Sequence, residues 1–206
     1  MTFWDELGKQ RWDDHRFYHH SRINQTLHFF SACCFLVSYV MLFIDPVIAV
    51  MVGWLLAMVL RQVGHFFFEP KTYDRVNELA FETKESIKVG YNLKRKIVLL
   101  SIWILSPFVF FFEPSLWGLF EIPMNFYEQL HNISLMWLAV AVGGLTFRTV
   151  QLFFVMNVRS GLVWLTKILT DPFHDIKIYH KSLLHLWRGE KYDDMSSWYN
   201  DNVFVK

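Results

Sequence analysis

The residues best able to do chemistry in this 206-residue chain are its nine histidines, and they are unevenly placed. His15, His19, His20 and His28 crowd the start, His65 closes the second apolar run, and His174, His180 and His185 lie near the end. Imidazole is the commonest side-chain ligand for iron, zinc and copper. Several imidazoles at one interface are costly unless they are protonated, hydrogen-bonded or metallated. His20, Asn24 and His28 repeat at four-residue spacing and share a face if the helix is continuous, whereas His19 joins His28 only if the chain bends near Ser21. Either His19 or His20 is therefore the candidate ligand beside His28 and His65. Glu69 follows His65 by four residues, which brings its carboxylate beneath that imidazole as ligand or orienting partner, or leaves it as a helix-end charge. His174, His180 and His185 are spaced for two helical faces rather than one, as ligands or as solvated surface. His15 reads as a surface residue.

An imidazole or imidazole–carboxylate set with open positions beside a membrane suits non-haem iron better than structural zinc, which prefers thiolates. The two cysteines, Cys33 and Cys34, are adjacent in an apolar run and read as packing residues. No GxSxG elbow, Gly-rich phosphate loop or basic-aromatic nucleic-acid platform occurs. A net charge of +1 supplies no overall field for nucleic acid.

The elements that must position these side chains follow from 53% hydrophobic and 18% aromatic residues gathered into runs. The expected fold is all-α, a polytopic membrane helical bundle of about four transmembrane helices with amphipathic cytoplasmic helices. Residues 1–26 form an N-terminal segment and 27–66 a first helical pair, its second apolar run stopping at Arg61. Residues 67–96 form a charged, amphipathic loop, 97–158 a second pair and 159–206 a tail. A tight turn at Asp45-Pro46 would bring His28 and His65 to similar depth. Pro107 should kink the third span, and Gly143-Gly144 should allow close helix approach in the fourth. No signal peptide is evident before the first run. Lys and Arg cluster on the histidine side and are missing from the turns around Asp45 and between Glu113 and Asn132. The positive-inside rule thus places both termini in the cytoplasm, in endoplasmic reticulum or a bacterial inner membrane, with His131 across the bilayer. Arg148, inside the fourth span, is expected to snorkel or to pair with a carboxylate.

Phe17-Tyr18-His19-His20, Asn24 and His28 opening one span, with Val63-Gly64-His65 and Phe68-Glu69 closing the next, resemble the small four-span 2-hydroxy fatty acid dioxygenases of the yeast phytosphingosine-degradation type. The paired motifs cover roughly the first third of the chain. The resemblance implies Fe(II)-dependent α-oxidation, in which O₂ removes one carbon from a 2-hydroxy fatty acid. It matches His19, His28 and His65 to the family's histidines, favouring His19 over His20, and matches Asn24 and Glu69 to its asparagine and glutamate. Arg22 or Arg61 would then pair with the substrate carboxylate, or with lipid phosphate, while Phe29 and Phe66 hold the alkyl chain. Two other readings stand beside it. One is a di-iron hydroxylase or desaturase-like enzyme that also recruits the tail histidines. The other is a non-catalytic lipid-binding or scaffold protein.

Overall fold

The computed structural model of the chain describes residues 2–194, and their regular structure is helical apart from isolated bridges between Ser21 and Tyr192 and between Asp74 and Leu79. Helix α1 (Phe3–Tyr18) opens with a capping box, in which the Thr2 side chain accepts from Asp5 N and the Asp5 carboxylate takes the Thr2 N–H. It ends because His19 leaves helical geometry, at φ −118° and ψ 37°. Ser21 then caps α2 (Arg22–Met41). The break at residues 19–21 removes the continuous helix that would have stacked His20 over Asn24 and His28.

Asp45 turns the chain and caps α3 (Pro46–Phe67), accepting from Val47 N at 2.8 Å and Ile48 N at 3.2 Å. Pro46 sits in the first turn, where its missing donor costs nothing. The second span does not stop at Arg61. It continues to Phe67 and carries His65 on its last turns. The hairpin has one antiparallel register along its length: Ser38 Oγ donates to Ala49 O and Ser31 Oγ to Ala57 O, both at 2.7 Å, and Gly64 abuts Asn24. Within α3, Val52–Met58 is wound as a π-helix, a geometry found mostly as short bulges at functional sites.

The charged stretch after α3 is less helical than its apolar spacing predicted. Only α4 (Phe81–Ile87) is helical between the first and second pairs, and Asp74 organises much of the rest. Helix α5 (Leu93–Phe112) begins at an Asn92 cap and tightens into a 3₁₀ turn at Ser106–Phe108, where Pro107 was expected to disturb it. Helix α6 (Phe126–Val155) completes the set of four helices, α2, α3, α5 and α6, that are long and apolar enough to cross a membrane. These four mark the chain as a membrane protein.

The segment beyond residue 158 holds more than a tail. Helix α7 (Val158–Tyr179) packs along α2 and α6 and also touches α1, and a short α8 (Ser182–Trp187) returns to α2. Residues 195–206 of the expected tail lie outside the described ones. Away from the histidines, α3, α5 and α6 meet around Trp54 and Trp103, stacked at 4.9 Å, with Trp137 Nε1 donating to Trp103 O at 2.9 Å. Arg148 pairs with no carboxylate among the described residues. Its guanidinium instead donates to Val89 O, from Nε at 3.1 Å and Nη2 at 2.5 Å, and to Gln151 Oε1 at 2.7 Å. Only the second of the two glycines in α6 is close to a neighbour: Tyr91 Oη donates to Gly144 O at 2.7 Å, while Gly143 faces open space.

Candidate metal centre

Three histidines from three chain segments converge where α1, α2 and α3 meet. One ring nitrogen from each of His19, His28 and His65 lies within 4.8 Å of the others. His19 and His28 face each other through their Nε2 atoms at 3.3 Å, and the His28 and His65 ring centres are 4.9 Å apart. Two nitrogens each about 2.1 Å from one ion, at bond angles of roughly 90° to 110°, lie about 3.0–3.4 Å apart. The His19–His28 separation therefore fits a shared cation.

The opposite edge of each ring faces a polar partner. His19 Nδ1 donates to Asp14 O at 3.2 Å, and His65 Nδ1 bonds to Glu69 Oε1. His28 Nδ1 faces Asp175 Oδ2 at 3.5 Å, within ion-pair reach though beyond a hydrogen bond. Partners of this kind fix the tautomer and orientation of ligating imidazoles and raise their basicity. Glu69 thus takes the orienting role that its spacing allowed. Burial holds His19 well below the ordinary imidazole value, with His28 and His65 adding to the effect, so its ring is neutral and keeps an Nε2 lone pair for a metal.

Helix α7 supplies what sequence spacing did not reveal. The Asp175 side chain is fully buried and accepts from Arg61 Nη2 at 2.6 Å while it faces His28 and His15. Tyr179 Oη lies 2.5 Å from His15 Nδ1, and burial raises the phenol well above its usual range, so it stays protonated. His15, expected on the surface, is buried, with its ring 5.2 Å from His19 and 5.1 Å from His174. Burial first, then nearby Arg11, pushes the His174 imidazole down to about 4, so that ring stands behind the trio as a neutral group.

Other candidates are not brought to the trio. His20 is half-buried at the α1–α2 break, where its carbonyl accepts from Asp193 N at 2.8 Å. His180 is exposed and His185 half-buried, and both are engaged locally, with Lys177 O and with Glu190 respectively, each at 2.9 Å. The reason is that α7 ends at Tyr179, so the chain turns away just as these histidines begin. Asn24, fully buried, donates to Tyr18 O at 3.0 Å and leaves its Oδ1 without a partner.

A cavity of about 330 Å³ leads from the trio into the bundle. His19, His28 and His65 line one end, and Ser38, Leu42 and Ala49 line the other. His28 in α2 and Leu42 at its C-cap are separated by roughly 21 Å at the helical rise, so the cavity runs deep along the apolar span. Phe29 and Phe66 are absent from its lining, where Phe35, Tyr39 and Trp54 stand instead. Of the two arginines, Arg61 lines the cavity but is committed to Asp175, and Arg22 pairs with Asp193 at 2.8 Å outside it.

Comparison with protein-family models, with curated proteins and with solved structures finds no match for this chain. The site's own geometry therefore carries the functional reading.

Proposed function

We propose that the chain is an Fe(II)-dependent membrane dioxygenase that performs α-oxidation of 2-hydroxy fatty acids, yielding acids one carbon shorter. The supporting observation is three imidazoles presented to one point at the head of a deep apolar cavity, two of them hydrogen-bonded at the far edge and the third facing a buried carboxylate. A lipid-binding scaffold has no need for that arrangement. In the overall reaction the bond between the carboxyl carbon and C2 breaks. The carboxyl carbon leaves as CO₂ and C2 becomes the new carboxyl. The four electrons released reduce one O₂, which gives one oxygen to the product and one to water.

His19, His28 and His65 would hold the iron, which when bound supplies Lewis acidity and oxygen activation. With three side chains holding it, such an ion would keep coordination capacity for substrate and oxidant. Glu69 and Asp175 keep the His65 and His28 rings in place, and Asn24 Oδ1 is an unused acceptor beside them. The cavity walls exclude water from the chain. The asymmetry of Lys and Arg supports a cytoplasmic position for this end.

The test is metal analysis with an O₂-uptake assay on 2-hydroxy acids, for wild type and His65→Ala in detergent. We expect one iron per chain and turnover in the wild type, with both lost in the variant while helical content is kept. Two irons per chain would replace this reading with the di-iron one, and full turnover in His65→Ala would end it.

A further inference from the structure

Four cations line the cavity: Arg61, Lys88, Lys96 and Lys167. Three are occupied. Arg61 donates to Asp175 at 2.6 Å, Lys167 is paired with Asp14, and Lys88 lies 3.5 Å from Glu85 Oε1 and 3.4 Å over the Tyr18 ring. Lys96 is different. It is only 8% exposed, on the first turn of α5, yet its ammonium makes no hydrogen bond among the described residues. Its nearest carboxylate oxygen is Glu69 Oε1 at 3.9 Å, and that oxygen is already bonded to His65. Burying an ammonium is costly unless direct hydrogen bonds compensate it. The cost is recovered if an anionic group completes the site from the cavity.

Resting on the reading of this cavity as the substrate site, we propose that Lys96 is the carboxylate anchor for a single-chain fatty acid whose tail occupies the apolar cavity. This role had been expected of Arg22 or Arg61, both of which are engaged elsewhere. The cavity favours one unbranched chain over a two-chain lipid. Its depth is about that of the α2 span, its volume is only about 330 Å³, and it is lined mainly by apolar side chains of α2, α3, α5, α6 and α7. Below Lys96 the lining turns apolar through Leu99 and Leu100, the next turn of α5.

The probe is a dibrominated fatty acid and the dibrominated alcohol of the same chain length. They are added to the full chain in phosphatidylcholine nanodiscs with a chelator present, so that neither iron nor turnover enters the result. Trp54 and Trp164 line the cavity, and the signal is the part of their quenching that the unbrominated acid or alcohol displaces. In the wild type the acid should bind at least about tenfold more tightly than the alcohol, as expected for one charge-assisted hydrogen bond. Lys96→Met should bring the acid down to the alcohol's affinity and leave alcohol binding unchanged, which also shows that the cavity is intact. Lys96→Arg should keep most of the preference. Equal binding of acid and alcohol by the wild type would overturn the proposal, as would a preference that survives Lys96→Met. A Lys96 that only balances Glu69 would give one of those two results. Displacement of the acid by added phosphatidylglycerol would also overturn it, by assigning the site to a lipid phosphate. Should the acid bind through Lys96 in a protein that neither holds iron nor consumes O₂, the anchor stands and the dioxygenase reading falls.

Discussion

The carboxylates of Asp74 and Glu69 are both buried on the same side of the bundle, yet their neighbours treat them differently. Asp74 accepts from Arg16 Nη1 and Nη2 at 2.8 and 2.9 Å, from Lys84 Nζ at 2.6 Å, from Asn77 Nδ2 at 2.9 Å and from Val76 N at 3.1 Å. Both of its oxygens are used, and the cluster ties α1 to the loop before α4. Around the histidines the reverse holds. Glu69 Oε2, Asn24 Oδ1, His28 Nδ1 and Asp175 Oδ1 are all buried without a hydrogen bond. Buried polar atoms are normally satisfied; His28 Nδ1 and Asp175 Oδ1 face ion-pair partners at 3.5 and 3.8 Å, while Glu69 Oε2 and Asn24 Oδ1 are left as unused acceptors, which on the proposed reading a ligand would complete. The Asp74 carboxylate is saturated by the protein's own donors, and on the proposed reading the histidine cluster would be completed by what binds it.

The largest effect should come from breaking the closed cluster. Asp74→Asn removes the charge that compensates Arg16 and Lys84, and breaking a buried pair typically costs about 3–5 kcal/mol. Asp13, which also bonds both cations, should keep the loss near the lower figure. Denaturant unfolding in detergent measures this, and the protein that stays folded should bind iron normally. The pH dependence sharpens the contrast. Burial alone would raise the Asp74 carboxyl, but hydrogen bonds from Arg16, Lys84 and Asn77 outweigh it and hold it below the usual range. A folded value below the unfolded one means that this stabilisation is complete above about pH 4 and is lost as pH falls through the folded value. The protection of α1 amides against hydrogen exchange, corrected for the intrinsic rate, should thus be flat from neutral pH to about pH 5 in the wild type. An Asp74→Asn protein as stable as the wild type would show that the cluster contributes nothing.

The open cluster should respond in binding rather than in folding. Asp175→Asn keeps the shape beside His28 but removes the charge, and loss of such an orienting partner typically costs 10- to 100-fold in metal affinity. Competition against a chromophoric chelator reads this directly. If the affinity does not change, Asp175 serves Arg61 alone, and the comparison loses its main support on the α7 side.

Much of the open cluster was legible in the sequence, because its key pair depends on one short turn. Asp45-Pro46 joins two apolar runs of similar length, so His28 and His65 had to return to the same depth. The choice between His19 and His20 was not decided by spacing, since it depends on where α1 ends. That end is set by the local geometry of His19 and the Ser21 cap. Asp175, Tyr179 and the burial of His15 were not legible. Their contacts span more than a hundred residues and arise because α7 lies along α2, although its mixed composition read as part of a cytoplasmic tail. Lys96 was visible only as one of the basic residues that set orientation. What distinguishes it is the partner it lacks, and that depends on the packing of every neighbouring charge.

The smallest expected effect tests how tightly the hairpin register holds the trio. A Cβ added at Gly64 would collide with Asn24 Oδ1 and stand 3.4 Å from both Asn24 Cγ and His28 Cδ2. Asn24 has little freedom to move aside, since it is fully buried and its amide is tied to Tyr18 O. Gly64→Ala should therefore push α2 and α3 apart by a fraction of an ångström. The cost in stability should be about 1 kcal/mol, at the low end for overpacking, because the better helix propensity of alanine offsets part of it. The same displacement moves His28 relative to His65, so iron affinity should fall a few-fold. Gly143→Ala is the matched control: its Cβ meets nothing within 4 Å, and neither stability nor iron binding should decline. If both alanine variants bind iron as the wild type does, the spacing of the two helices at Asn24 does not set the metal geometry. The orienting contacts at Asp14, Glu69 and Asp175 would then have to hold the three rings without help from the hairpin.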